Sequence, residues 1–351
     1  MPSPPRPLVT HAWPALFGAL ALQSVAGAQS VPGFNVDVFA TPAFPNLIAF
    51  GADGVLYAGR DDDPVGSLTP RFVTRITADG ASTEYGLQPI LDPDALVVDD
   101  AGVVSGVANS VLVGGLIANP GAGRVTAIRP DQTVVTLFES LQYGNISELK
   151  FDQLDRLLFV SFSGNQVFRS AAGEAPTALC ATGASPVYLT VAPDNRIFTS
   201  NQGGTVRING ADGSLINASF AQFSGRTSIE FAKGGGFGTD LLALETGTGT
   251  LYSVSATGVK TQIGTGITSA EDLAVGPCGA VYVSRRIAGE VLRISKPPSP
   301  DIDGNGVVDG ADLGLLLGAW GSTECTADLN QDGIVDGADL GLLLGDWGPI
   351  D

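Results

Sequence analysis

The sequence predicts an all-β chain, a six-bladed β-propeller, with a small C-terminal α-helical calcium-loop domain. Three observations carry this. From about residue 34 to 296, short apolar runs alternate with Gly, Asp, Asn and Pro, and no segment keeps a helical period. A two-strand unit recurs six times along that stretch. Beyond it, two near-identical acidic segments stand 27 residues apart, each leading into an apolar helical stripe.

In each unit an apolar strand enters a turn and a second strand leaves it. Gly54, Gly102, Arg156, Asn195, Asp240 and Gly279 stand immediately before the second strands. Gly and Asn are what a tight hairpin requires. A third strand often carries a basic residue among apolar ones, as in Phe72-Val73-Thr74-Arg75-Ile76 and Val291-Leu292-Arg293-Ile294. The first strands start near Asn46, Asp94, Glu148, Val187, Thr227 and Glu271, spaced by 39 to 54 residues. That is the length of one four-stranded blade. A lone blade exposes an apolar face, which radial stacking buries. The last unit lacks a fourth strand, whereas Phe34–Phe39 precedes the first unit without one of its own. This segment is expected to complete the sixth blade and remove an open edge. The propeller is placed at 31–297, followed by a stiff Pro-rich linker at 298–300.

The run Asp53-Gly54-Val55-Leu56-Tyr57-Ala58, with Cys278-Gly279-Ala280-Val281-Tyr282-Val283 beside it, resembles the NHL and gluconolactonase-like six-bladed propellers. In that group a strand ending in Asp-Gly leads into Leu-Tyr-Val. Innermost strand ends line the central channel, so Asn46, Asp94, Glu148 and Glu271 form a candidate channel site. Val187 and Thr227 hold the same repeat position in the other two units. Oxygen ligands of this kind suit Ca²⁺ or another hard cation. Lactonases of the resembled group use acidic and Asn ligands around a channel metal, although their Glu-Gly-Pro start and Asn-Gly turn are absent here. The alternative is a row of polar residues hydrated in an open channel.

The C-terminal segments carry the other metal pattern. Asp301, Asp303, Asn305, Asp309 and Asp312 occupy loop positions 1, 3, 5, 9 and 12, with Gly306 at position 6 and the Val307 carbonyl at position 7. Asp328, Asn330, Asp332, Asp336 and Asp339 repeat this, with Gly333 and the Ile334 carbonyl. This is the EF-hand type of calcium loop with Asp at position 12. Leu313, Leu316, Leu317 and Trp320 follow the first loop at helical spacing, and Leu340, Leu343, Leu344 and Trp347 follow the second. The two stripes are expected to pack on each other as a small core. A duplicated loop with a single helix resembles type I dockerins, over residues 301–351. The resemblance implies two Ca²⁺ ions held by the residues just named. It also implies a partner such as a cohesin-like protein or a cell-surface component, often in polysaccharide breakdown. Loop positions 10 and 11, commonly polar partner-reading residues in dockerins, are Gly310-Ala311 and Gly337-Ala338. An exported propeller with this terminal module is similar to proteins of planctomycete-type bacteria.

Composition bounds the function. The formal net charge is −18, and residues 301–351 hold 11 acids and no Lys or Arg. Nucleic acid is an unsuitable partner for such a chain. Arg6, the apolar run Ala15–Leu22 and the small residues Ala26-Gly27-Ala28 read as a signal peptide over 1–28, cleaved before Gln29. The mature chain is then expected to be secreted or periplasmic, without a transmembrane segment. The single histidine, His11, falls inside that signal. Ser-His-Asp, Cys-His and histidine–zinc chemistry are therefore excluded from the mature chain. Cys180, Cys278 and Cys325 are an odd set with no C-x-x-C pair, and Cys180 and Cys278 are expected to pack as small apolar residues. The leading reading is a non-enzymatic, calcium-binding exported propeller, attached through the dockerin-like domain and offering a site for a glycan or small ligand. The alternative is a lactonase-like or glycan-active hydrolase using channel carboxylates.

Overall fold

A computed structural model of the chain describes residues 29–62, 69–117, 121–172 and 174–350. The expected signal peptide lies outside the described residues. The body is six antiparallel four-stranded sheets. The innermost strands of the six blades, in order, are Pro45–Phe50, Ala95–Asp99, Ile146–Phe151, Pro186–Val191, Thr227–Phe231 and Ala270–Val275. Each of the first five sheets runs outward in sequence order. The sixth takes its outermost strand, Asn35–Ala40, from the N-terminus. That strand pairs antiparallel with Glu290–Ser295, Asn35 opposite Ser295 and Val38 opposite Leu292. Both ends of the chain's β region thus share one sheet, and the ring closes.

Alternation along the strands puts apolar side chains between neighbouring blades. Val73, Leu96, Val111 and Ile128 pack between the first and second blades, and Leu242, Leu273, Val281 and Leu292 between the fifth and sixth. The turn after the innermost strand uses a residue with positive φ: Gly54 at 79°, Asp155 at 53°, Asn195 at 65° and Gly279 at 74°. Gly279 also meets Gly235 backbone to backbone, where an added Cβ would lie 2.5 Å from the Gly235 nitrogen. No described helix is long and apolar enough to cross a membrane.

The C-terminal segment forms two copies of a loop followed by one helix, α1 (Gly310–Gly318) and α2 (Gly337–Gly345). Asp309 and Asp336 are the N-caps, and Asp312 and Asp339 complete capping boxes. The halves interlock with internal two-fold character. Val308 pairs with Gly348, and 27 residues on and back, Gly321 N donates to Val335 O at 2.8 Å. Val308, Leu316, Leu329, Val335 and Leu343 form the core. The expected inclusion of Leu317, Leu344, Trp320 and Trp347 is corrected: these remain 51%, 51%, 49% and 49% exposed. Leu317 lies about 100° around the helix from buried Leu316, and Trp320 follows the C-cap Ala319, beyond the inward face.

The module is seated on the propeller. Cys278, in the turn of the sixth blade, is disulfide-bonded to Cys325, with a Cα–Cα distance of 5.5 Å. This corrects the expectation that Cys278 is only a packing residue, since spacing does not reveal pairing across a fold. Cys180 is a free thiol. Gln331 adds a polar clasp, its carbonyl accepting from Arg293 Nη1 at 2.9 Å and its Oε1 from Ser295 Oγ at 3.0 Å.

Candidate functional site

Each blade sends a residue at or just before its innermost strand to the wall of a cavity of about 210 Å³ in the channel mouth: Asn46, Asp94, Ser147, Val187, Arg226 and Glu271. Local backbone explains which one. In four blades a β-bulge interrupts the start of the innermost strand, and the residue skipped there faces the channel. These are Asn46, Ser147, Val187 and Glu271. The second and fifth blades pair without a bulge, and the residue just before the strand, Asp94 or Arg226, takes the place. Asn145, Gln202, Asp61 and Phe162 complete most of the wall.

Of the four channel residues expected from the sequence, Asn46, Asp94 and Glu271 come together and Glu148 does not. Glu148 lies a layer deeper, 3% exposed, 3.9 Å from Lys150 Nζ. Lys150 donates to Glu230 at 2.7 Å, and Glu230 accepts from Thr190 at 2.8 Å. Asp272, also buried there, accepts from Ile48 N at 3.0 Å and Ser228 Oγ at 2.7 Å. Burial pushes Asp272 up to about 6 against the pull of Lys150, and drives Glu148 well above the usual carboxylate range. Burial also opposes ionisation of Glu230, but Lys150, Lys233 and Thr190 together outweigh it and hold that carboxyl low. This inner layer was invisible to a reading that assigned one residue per unit.

At the mouth, Arg226 Nη2 lies 2.5 Å from Glu271 Oε1, and its guanidinium stands over the Tyr188 ring at 5.2 Å. The Tyr188 hydroxyl donates to the Glu271 carbonyl. Arg286 pairs with Asp61 at 2.9 Å. Asp61, which also lines the cavity, therefore belongs to the channel mouth. Asn46 Nδ2 donates to Asp94 Oδ1 at 3.1 Å. Burial, with Asp92 and Asp61 nearby, raises the Asp94 carboxyl well above its ordinary range.

The C-terminal loops form the second cluster. Asp301 accepts from Asn305 N at 3.0 Å and Gly306 N at 2.9 Å. Asp312, fully buried, accepts from Ile302, Asp303 and Asp309 N–H groups at 2.7, 3.1 and 2.9 Å. The second loop repeats this: Asp328 accepts from Asp332 and Gly333 at 3.1 and 2.9 Å, and Asp339 from Asn330 and Asp336 at 3.0 and 2.8 Å. Oxygen atoms of Asp301, Asp303 and Asp312 lie within 4.8 Å of one another and could hold a metal ion. Asn305, Asp309, Asp332 and Asp336 hold neighbouring loop positions through Asx-type bonds to the backbone, including Val307 N and Ile334 N.

No family model and no curated protein matches the chain. Solved structures do. The fold is that of a six-bladed propeller, with gluconolactonases among its structural neighbours. A gluconolactonase from Xanthomonas campestris aligns with a TM-score of 0.57 at 12% identity, over 76% of this chain and 91% of that one. An oxidoreductase from Thermus thermophilus described as a glucose dehydrogenase gives 0.56 at 15%, over 75% and 100%. Virginiamycin B lyase from Staphylococcus aureus, in a catalytically inactive histidine-to-alanine form with quinupristin, gives 0.51 at 14%, over 75% and 99%. At such identities the likeness concerns the fold.

Proposed function

We propose that the protein is an exported binding protein whose propeller is displayed or assembled through a calcium-dependent, dockerin-like module. The carrying observation is the repeated carboxylate cradle. In both loops the position-1 Asp accepts the N–H groups of positions 5 and 6, and the position-12 Asp those of positions 3 and 9. In the first loop the oxygens of Asp301, Asp303 and Asp312 converge within 4.8 Å and Asn305 would join them around one ion; Asp328, Asn330, Asp332 and Asp339 would hold a second ion by the same pattern. Asp309 and Asp336 stand at position 9, where a water often mediates, and Val307 and Ile334 would add carbonyls. Ca²⁺ supplies the positive charge that relieves the mutual repulsion of these acids. The partner would be a cohesin-like protein or a cell-surface component, in an extracellular complex such as one that degrades polysaccharide. Hydrogen exchange on the full chain tests this. With chelator, amides of 301–350 should lose protection while the blade strands keep theirs. Unchanged protection in the module, with and without calcium, would remove the basis of the reading.

A second reading, a lactonase-like or glycan-active hydrolase, is favoured by the raised Asp94 carboxyl, which has the protonation a general acid needs. The histidine chemistry named for the lyase is not available, since the sole histidine is His11. Asp94→Asn should then abolish turnover of any lactone or glycoside that the wild type hydrolyses.

A further inference from the structure

The metal expected in the channel of a lactonase-type propeller does not fit the residues of this one. Glu271, one of the expected ligands at the mouth, already has a cation beside it. Arg226 holds Oε1 at 2.5 Å, and Arg286 Nε stands 3.9 Å from Oε2. Arg226 is not a loose side chain that an ion could displace. It lies over Tyr188, a ring 1% exposed, and Tyr188 is tied through its hydroxyl to the Glu271 carbonyl. Asp94 offers a poor ligand, because its Oδ1 is taken by Asn46 Nδ2 at 3.1 Å. Glu148, the fourth expected ligand, is committed to the layer below.

We propose that the channel mouth takes a small uncharged ligand bearing hydroxyl or carbonyl oxygens, without a metal ion, and that Arg226 is the fixed positive charge of that site. Charge balance points to the ligand class. Arg226 is matched by Glu271 and Arg286 by Asp61, so an ionic ligand would leave one charge unmatched in a partly desolvated space. The remaining polar wall is Asn46, Asp94, Ser147, Asn145 and Gln202, with Asp94 Oδ1 accepting from Asn46 Nδ2 and Asn145 Oδ1 buried without a hydrogen-bond partner among the described residues. Phe162 and Val187 supply an apolar side. A cavity of about 210 Å³ is smaller than the roughly 300–1,000 Å³ pockets of drug-sized ligands. The site holds independently of the calcium reading of residues 301–351.

The test uses the full chain. Calcium equivalents are counted by calorimetry for wild type, Glu271→Gln and Arg226→Met. Glu271→Gln and Arg226→Met should each leave the wild-type count unchanged, whatever that count is. Ligand binding is read by saturation-transfer NMR in excess chelator with glycerol, D-glucose, D-galactose and γ-butyrolactone. At least one probe should bind, weaken tenfold or more in Arg226→Met, and recover in Arg226→Lys. Thermal melts verify that each variant folds, and Glu271→Gln carries the metal test alone if Arg226→Met does not. Loss of one calcium equivalent in Glu271→Gln or in a folded Arg226→Met, binding abolished by chelator, or no binding by any probe would each overturn the proposal.

Discussion

Asp272 is the residue whose chemistry differs most from its place in the sequence. Nothing in Ala270-Glu271-Asp272 distinguishes two adjacent acids. The bulge between Ala270 and Asp272 does, turning Glu271 to the channel mouth and Asp272 into the buried layer. Its carboxyl, pushed up to about 6 by burial, favours the protonated folded state. A raised folded value means that the stabilisation is complete below about pH 4 and lost as pH rises through 6. Asp272→Asn, which cannot ionise, should therefore gain on wild type by about 2 kcal/mol between pH 4 and 7. Urea unfolding at both pH values reads this; an equal gap at both would contradict it. The same scale shows why two of the six channel positions were misread by one residue. Counting eight back from the turn works from Gly54, Gly102, Asn195 and Gly279. In the third unit the residue with positive φ is Asp155, not Arg156, so the count ends on Ser147 instead of Glu148. Asp tolerates that conformation without announcing it as Gly does. In the fifth unit a longer loop through Gly234 and Gly238 replaces the tight turn, and no fixed count reaches Arg226.

At the scale of elements, the N-terminal strand and α1 make opposite points. The strand Asn35–Ala40 was legible because a propeller must close and one strand was unpaired. Deleting residues 30–40 should expose Glu290–Ser295 as an edge and lower the thermal midpoint by on the order of 10 °C. An unchanged midpoint would show that closure is not structural. In α1 the period was legible but the width of the buried face was not. Nine residues give two and a half turns, enough to bury Leu316 fully and Leu313 in part. Leu316→Ala should thus cost the module about 2–5 kcal/mol, against less than about 0.5 kcal/mol for half-exposed Leu317→Ala. Local hydrogen-exchange protection compares the two, and equal losses would restore the broader stripe.

For the whole molecule, the Pro-rich linker suggested a tethered appendage, whereas the disulfide and the Gln331 clasp fix the module beside the seam of the ring. Cys278 and Cys325 are 47 residues apart, and closing such a loop constrains the unfolded chain by about 4 kcal/mol. Cys325→Ser should lower the module's stability by about 2–4 kcal/mol and leave the inner blade strands as protected as before. A module equally protected without the disulfide would mean that the clasp alone seats it. The fold of both parts was thus readable from repeats, while their junction depended on a pairing that no spacing encodes. Native mass spectrometry of the full chain in calcium tests the two acidic loops directly. Wild type should carry two ions, Asp312→Ala and Asp339→Ala one each, and the double variant none. A chain without bound calcium at millimolar concentration, or counts indifferent to both substitutions, would contradict the account.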